Sequence, residues 1–323
     1  MKIAILGATS QIAKDLIVSF SARADHELHL FARRPEAVTQ WLASAGLSGR
    51  YAVDDFPAFK SELHFDAILN SVGVGNPAQA VAMGASIFDV TLKYDELALD
   101  YVRQHPGCRY IFLSSGAAYG SSFDQPVDEN TNAVIAINHL RQQDWYGVAK
   151  LYAECRHRSL PHLAIVDIRV FNYVSHTQDV HARFLITDIL RAIQSGEPLK
   201  TSSDNIVRDY IGPDDFYSLS SLVLEEAQGT NKVIDCYTMA PVDKLTLLST
   251  MKQRYGLIVQ FSETRTGLNA TGTKKNYFSI NRAAEKFGYM PKKTSLETIV
   301  QEFDAFIGKH PVLIANEAGL KSQ

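Results

Sequence analysis

A hydroxyl, a phenol and an ammonium lie close together along this chain. Ser115 sits in Phe112-Leu113-Ser114-Ser115-Gly116-Ala117-Ala118-Tyr119-Gly120, and Tyr146 and Lys150 follow in Tyr146-Gly147-Val148-Ala149-Lys150. The set suits hydride chemistry: a phenol beside a cation can pass a proton to or from an oxygen that a second hydroxyl holds in place. Tyr146 and Lys150 are four positions apart, so they share one face if the segment is helical. The pair alone is also what an ordinary solvated helix presents. Ser115, closing an apolar run upstream, is what points to an enzyme.

Such groups need a scaffold to bring them together. Short apolar runs recur at 2–6, 27–31, 67–70, 110–113 and 164–170, with intervening segments long enough for crossover helices. Ile12, Leu16, Ile17 and Phe20 repeat at helical spacing, as do Leu92, Leu99 and Val102, and both stripes are expected to face the core. This rhythm predicts an α/β fold, a doubly wound parallel (Rossmann) sheet. After Phe171 it breaks into shorter pieces with polar loops such as Ser195-Gly196-Glu197-Pro198, which suits a smaller C-terminal substrate-binding lobe. The expected division is a dinucleotide-binding unit over 1–172 with a return segment near 206–228, a lobe over 173–315, and a tail over 316–323.

The turn Gly7-Ala8-Thr9-Ser10-Gln11-Ile12-Ala13 falls where the first strand ends and a helix begins, so its N–H groups would face an anion such as a dinucleotide pyrophosphate. Only Gly7 is glycine at the expected positions, and by itself the turn could be an ordinary strand-to-helix connection. Gly7, Thr9, Ser10, Gln11 and Ile12 are the candidate contacts, with Ser71 after the third run. The second run ends in Phe31-Ala32-Arg33-Arg34, without the acid that would accept the ribose hydroxyls of NAD. Two guanidinium groups suit the 2′-phosphate of NADP, while Glu36 nearby keeps NAD open. Asp54, after Tyr51-Ala52-Val53, is a candidate acceptor for the adenine amino group or simply a turn former.

Taken with Ile168-Arg169-Val170-Phe171-Asn172, Arg208-Asp209-Tyr210-Ile211, Asp214-Asp215 and Phe287-Gly288-Tyr289-Met290-Pro291, the chain resembles the extended short-chain dehydrogenase/reductase family over nearly its whole length. Members are mostly NAD(P)-dependent nucleotide-sugar epimerases, dehydratases and reductases. The resemblance implies that Ser115, Tyr146 and Lys150 are catalytic. Tyr146 would be the acid or base, its phenol brought down from about 10 by the ammonium. Tyr146 and Lys150 would also contact the coenzyme, with Lys150 reaching the nicotinamide ribose. It further implies that Asn172 contacts substrate and that Arg208 pairs with the diphosphate of a nucleotide sugar, although Arg208–Asp209 could equally be a surface ion cluster.

Departures from subfamily patterns narrow the reaction. Sugar dehydratases of the family carry an acid pair after the catalytic hydroxyl, and one epimerase-reductase type carries a cysteine at the second of those places. Gly116 and Ala117 stand there instead, and neither transfers a proton. Two reactions remain: reduction of a 4-keto nucleotide sugar by NADPH, which the arginine pair favours, and 4-epimerisation with a tightly held NAD. A nucleotide-sensing regulator without catalysis is the alternative of another class. The segment with His139, Arg141 and Trp145 either selects the sugar or is a solvated loop.

Composition sets the outer bounds. A 323-residue chain with 46% hydrophobic residues and a net charge of -3 has no global pull toward nucleic acid or an acidic membrane. The apolar run at the start is cut short by Gly7, too early for a signal peptide or a membrane span. Cys108, Cys155 and Cys236 have no metal or redox spacing, so no metal site and a cytoplasmic, reducing location are expected. The resemblance implies a homodimer.

Overall fold

The computed structural model describes residues 1–23, 26–74, 77–120, 122–226, 229–262 and 274–309. The expected tail over 316–323 lies outside them. The main sheet contains β1 (Lys2–Leu6), β2 (Glu27–Phe31), β3 (Ala52–Asp54), β4 (Ala67–Asn70), β5 (Arg109–Ser115) and β6 (Ile165–Val170), and is completed by Lys232–Asp235. Its seven strands run in the order Lys232–Asp235, β6, β5, β4, β1, β2, β3, and every pairing is parallel. Every residue of β4 and β5 is buried, as expected of central strands covered on both faces.

One face is covered by α1 (Gln11–Arg23), α2 (Pro35–Ser44) and, later in the chain, α7 (Pro213–Glu225). There Ile3, Ile5, Leu16, Ile17, Phe20 and Phe216 form one core. The other face is covered by α4 (Ser86–Gln104), which follows the short α3 (Pro77–Met83), and by α5 (Trp145–Arg158). There Leu6, Ile68, Leu99, Val102, Tyr110 and Phe112 form a second core. Leu92 departs from the expected stripe: it is 41% exposed on the outer side of α4, because the inner turn is filled by Thr91, Tyr94 and Asp95.

The third core joins α6 (Leu185–Ser195), α8 (Lys244–Tyr255) and α9 (Ser295–Lys309) through Ile189, Leu190, Leu248, Met251, Ile299 and Phe303. Small strands decorate this part. Val207–Arg208 lies between Val242–Asp243 and Asn276–Tyr277, and Tyr210–Ile211 pairs with Asn172–Tyr173. Connections from β1 lead outward to β2 and β3 on one side, and from β4 to β5 and β6 on the other, so a crevice opens at the C-terminal ends of β1 and β4.

Candidate active site

Gly7 stands at that crevice with φ +81°, and a Cβ there would lie 2.9 Å from the Val72 nitrogen and 3.0 Å from the Ser71 carbonyl carbon. Only glycine permits both the left-handed turn and this approach. Ser71 Oγ braces the turn by donating to the Leu6 and Gly7 carbonyls at 2.8 and 3.1 Å. Ser10 starts α1, accepting the Ala13 N–H on its Oγ at 3.2 Å. The first-turn N–H groups of α1 therefore face the crevice beside a turn that a Cβ would obstruct, a cradle whose shape and dipole fit a dinucleotide pyrophosphate.

The remaining nucleotide candidates differ in what they have free. Thr9 is exposed, whereas Ile12 packs its side chain partly against the core and leaves only its backbone for a ligand. The Gln11 amide is engaged with Thr177 and, at 3.1 Å, with Asp15. Arg33 and Arg34 are exposed at the exit of β2, and among the described residues no carboxylate forms an ion pair with either. Asp54 already accepts from His29 Nε2 at 2.7 Å, a pairing between adjacent strands that the linear sequence does not reveal.

At the end of β5 the two serines diverge as alternation along a strand requires. Ser114 donates to the buried Glu154, which Arg169 holds through Nε at 3.0 and 3.1 Å. Ser115 faces the crevice, accepting the Ala117 N–H at 3.2 Å and lying 3.3 Å from the Tyr277 hydroxyl. Tyr146 and Lys150 share a face of α5 as expected, with the ammonium 6.0 Å from the Tyr146 ring centroid. Gly116 and Gly147 bring these elements close: a Cβ on Gly147 would meet the Ala117 oxygen at 2.5 Å.

The electrostatics differ from expectation in one respect. Lys150 is 3% exposed, and burial draws its ammonium down to about 8 despite Asp95, Glu154 and Asp167. Its Nζ donates to the Leu113 carbonyl at 2.7 Å. Burial likewise pushes the Tyr146 phenol above its ordinary value, and hydrogen bonding with Ser115 only partly offsets this. In the protein alone, then, the phenol is held protonated rather than brought toward neutrality, because desolvation outweighs the hydrogen bond with Ser115.

The substrate candidates lie on the short strands Asn172–Tyr173 and Val207–Arg208. Asn172 spends its amide N–H groups on the carbonyls of Asp209 and Tyr277, at 3.1 and 3.4 Å, leaving its oxygen for other partners. Arg208 is not clustered with Asp209, whose buried carboxylate accepts instead from Thr238 N at 2.9 Å and Ser295 Oγ at 2.7 Å. The Arg208 guanidinium lies 5.9 Å from the Tyr277 ring centroid, and Lys274 Nζ lies 4.3 Å from the same ring. Burial draws Lys274 down to about 8, and Arg208 adds to the effect. Sequence reading missed Tyr277 and Lys274, for which no motif or periodicity gives a signal. His139 and Arg141 are exposed, and Arg141 pairs with Asp144 at 3.4 Å.

Comparison with known proteins agrees with this architecture. Residues 3–255 match the NAD dependent epimerase/dehydratase family. The chain belongs to that family and is an enzyme of the extended short-chain dehydrogenase/reductase type. No match was found among curated protein sequences. Among solved structures, UDP-glucuronic acid 4-epimerase from Bacillus cereus, in complex with UDP-glucuronic acid and NAD, superposes with a TM-score of 0.77 at 18% identity, covering 96% of this chain and 100% of that one. UDP-glucose 4-epimerase from Thermotoga maritima, with UDP-glucose, gives 0.76 at 16% identity, covering 96% and 99%. The Bifidobacterium longum enzyme of the same name, in complex with NAD+ and UDP, gives 0.76 at 17% identity with the same coverage.

Proposed function

We propose that this enzyme reduces the 4-keto group of a nucleotide-linked sugar with NADPH. The observation that carries the reading is the exposed Arg33-Arg34 pair at the exit of β2, unpaired with any carboxylate among the described residues and suited to a 2′-phosphate. Dehydration is disfavoured on steric grounds. The Cβ position of Gly116 is filled by the Phe171 ring, so the first of the two acids that dehydratases use there has no space.

In this reading the turn at Gly7, Thr9, Ser10, Gln11 and Ile12 holds the pyrophosphate, with Ser71 bracing it and Asp54 near the adenine. When bound, the nicotinamide supplies the hydride. Ser115 donates a hydrogen bond to the carbonyl oxygen and fixes its place, while Tyr146 gives that oxygen its proton. The raised phenol suits this direction, since a protonated tyrosine is the required acid. Lys150 steadies the negative charge left on the Tyr146 oxygen and reaches the coenzyme ribose. Arg208 binds the substrate diphosphate, and the Asn172 oxygen faces the sugar. The proposed division of labour is a dinucleotide-binding unit over 1–172 with its return near 206–228 and the sheet strand Lys232–Asp235, and a substrate lobe over the rest of 173–315. The exposed Leu92 on α4 and Tyr152 on α5 support a homodimer through these helices. The three cysteines are free, which suits a reducing cytoplasm. Among the described residues no helix is long and apolar enough to cross a membrane.

A second reading, 4-epimerisation with a retained NAD, draws support from the likeness to epimerase structures. The nucleotide released on denaturing the purified protein separates them, together with fluorescence titration by NADPH and NADH. Weakly held NADPH, preferred about tenfold or more over NADH and losing that preference in Arg33→Ala/Arg34→Ala, is the expected result. Stoichiometric retained NAD favours the epimerase, and binding of both coenzymes with no turnover of any nucleotide sugar favours a regulator.

A further inference from the structure

We propose that Tyr277 is a positioning residue that fixes the direction in which Ser115 donates its proton; the proposal rests on the reading of Ser115 and Tyr146 as the proton-handling pair. A serine hydroxyl has one hydrogen to give and two lone pairs to fill. On Ser115 one lone pair takes the Ala117 N–H at 3.2 Å, and the Tyr277 hydroxyl lies 3.3 Å away, where either oxygen can donate to the other. Burial keeps the Tyr277 phenol well above its ordinary range, so it carries a proton that it can give to the second Ser115 lone pair. With both its lone pairs filled, Ser115 has its single proton left for Tyr146 and for the oxygen that reacts there.

The fold holds Tyr277 in place for this task. Its ring is wedged against Phe123 at 4.8 Å and Phe171 at 5.1 Å, and the Asn172 amide bonds to its carbonyl at 3.4 Å. The backbone on either side is stitched to the segment after Ser115: Asn276 N–H donates to the Phe123 carbonyl at 2.8 Å, and Val127 N–H to the Phe278 carbonyl at 3.1 Å. A residue 162 positions downstream thereby becomes part of the Ser115 environment.

The test uses the full chain labelled with 13C at tyrosine Cζ, the Tyr146 signal being the one lost in Tyr146→Phe. Tyr277→Phe keeps the ring packing and removes only the hydroxyl. The expected result is that it moves the Tyr146 signal in the same direction as Ser115→Ala, and that Ser115→Ala/Tyr277→Phe moves it no further than Ser115→Ala alone. A Tyr146 signal unmoved by Tyr277→Phe, or a double-variant shift equal to the sum of the two single shifts, overturns the proposal. With NADPH and UDP-linked 4-keto-6-deoxyglucose as probe, kcat falls about tenfold in Tyr277→Phe while KM stays within about twofold. Wild-type protein that fails to consume NADPH with this probe counts against the proposed reaction, while the 13C result still decides the role of Tyr277.

Discussion

The Lys150 ammonium donates to the Leu113 carbonyl at 2.7 Å, two residues before the hydroxyl of Ser115. This bond ties α5 to the end of β5 and keeps a charge inside the protein where desolvation opposes it. Because burial draws Lys150 down to about 8, its positive charge is lost as pH rises through that value. Affinity for NADPH, measured by fluorescence, is expected to fall between about pH 7 and pH 9, and Lys150→Met is expected to bind weakly with no such slope. An equal slope in both proteins contradicts the assignment. The folded value also lies below the unfolded one near 10.5, so the ammonium costs stability below about pH 8 and the cost fades as pH rises toward 10.5. Lys150→Met is therefore expected to melt higher than wild type at pH 7 and to lose that advantage at pH 10.5.

His157 works in the opposite sense. Fully buried, it lies 2.6 Å from Asp167 and 2.7 Å from Asp95. Burial alone favours the neutral ring, but the two carboxylates outweigh it and raise His157 to about 9. A histidine raised above its unfolded value near 6.5 contributes stability that is complete below about pH 6.5 and is lost as pH rises through about 9. His157→Gln is expected to cost on the order of 3 kcal/mol at pH 6 and clearly less at pH 9.5, read from urea midpoints. A cost independent of pH removes the charged-histidine account.

Gly7→Ala tests the cradle. Its Cβ would come within 2.9 Å of the Val72 nitrogen at φ +81°, so the turn must shift. A loss of about 1–3 kcal/mol in stability and about tenfold or more in NADPH affinity is expected, measured by melting with and without coenzyme. Unchanged affinity would mean that the nucleotide binds elsewhere.

How much of this was legible depends on how locally each feature is encoded. β4 was readable because a strand buried on both faces writes a continuous apolar run, Ala67-Ile68-Leu69, closed here by Asn70. The turn at Gly7 was readable because it joins such a run to a helix. Tyr146 and Lys150 were readable because one turn of helix separates them. Leu92 was misread because helical spacing names a stripe without saying which turn is filled by Thr91, Tyr94 and Asp95. The His29–Asp54 bond depends on strand neighbours, and Tyr277 reaches Ser115 across 162 positions, from a strand paired with Val207–Arg208. Long-range packing of that kind leaves no pattern in a linear sequence. The raised Tyr146 phenol was missed for a related reason: desolvation is a property of the surroundings, not of the Tyr146–Lys150 spacing.

The most direct measurement is NADPH oxidation, followed at 340 nm, with UDP-linked 4-keto-6-deoxyglucose and either wild type or Tyr146→Phe. The account expects one NADPH consumed per sugar reduced, and a fall of about a hundredfold or more in kcat for Tyr146→Phe with coenzyme affinity within about threefold of wild type. Undiminished turnover in Tyr146→Phe would contradict it, as would interconversion of nucleotide sugars with no net consumption of NADPH.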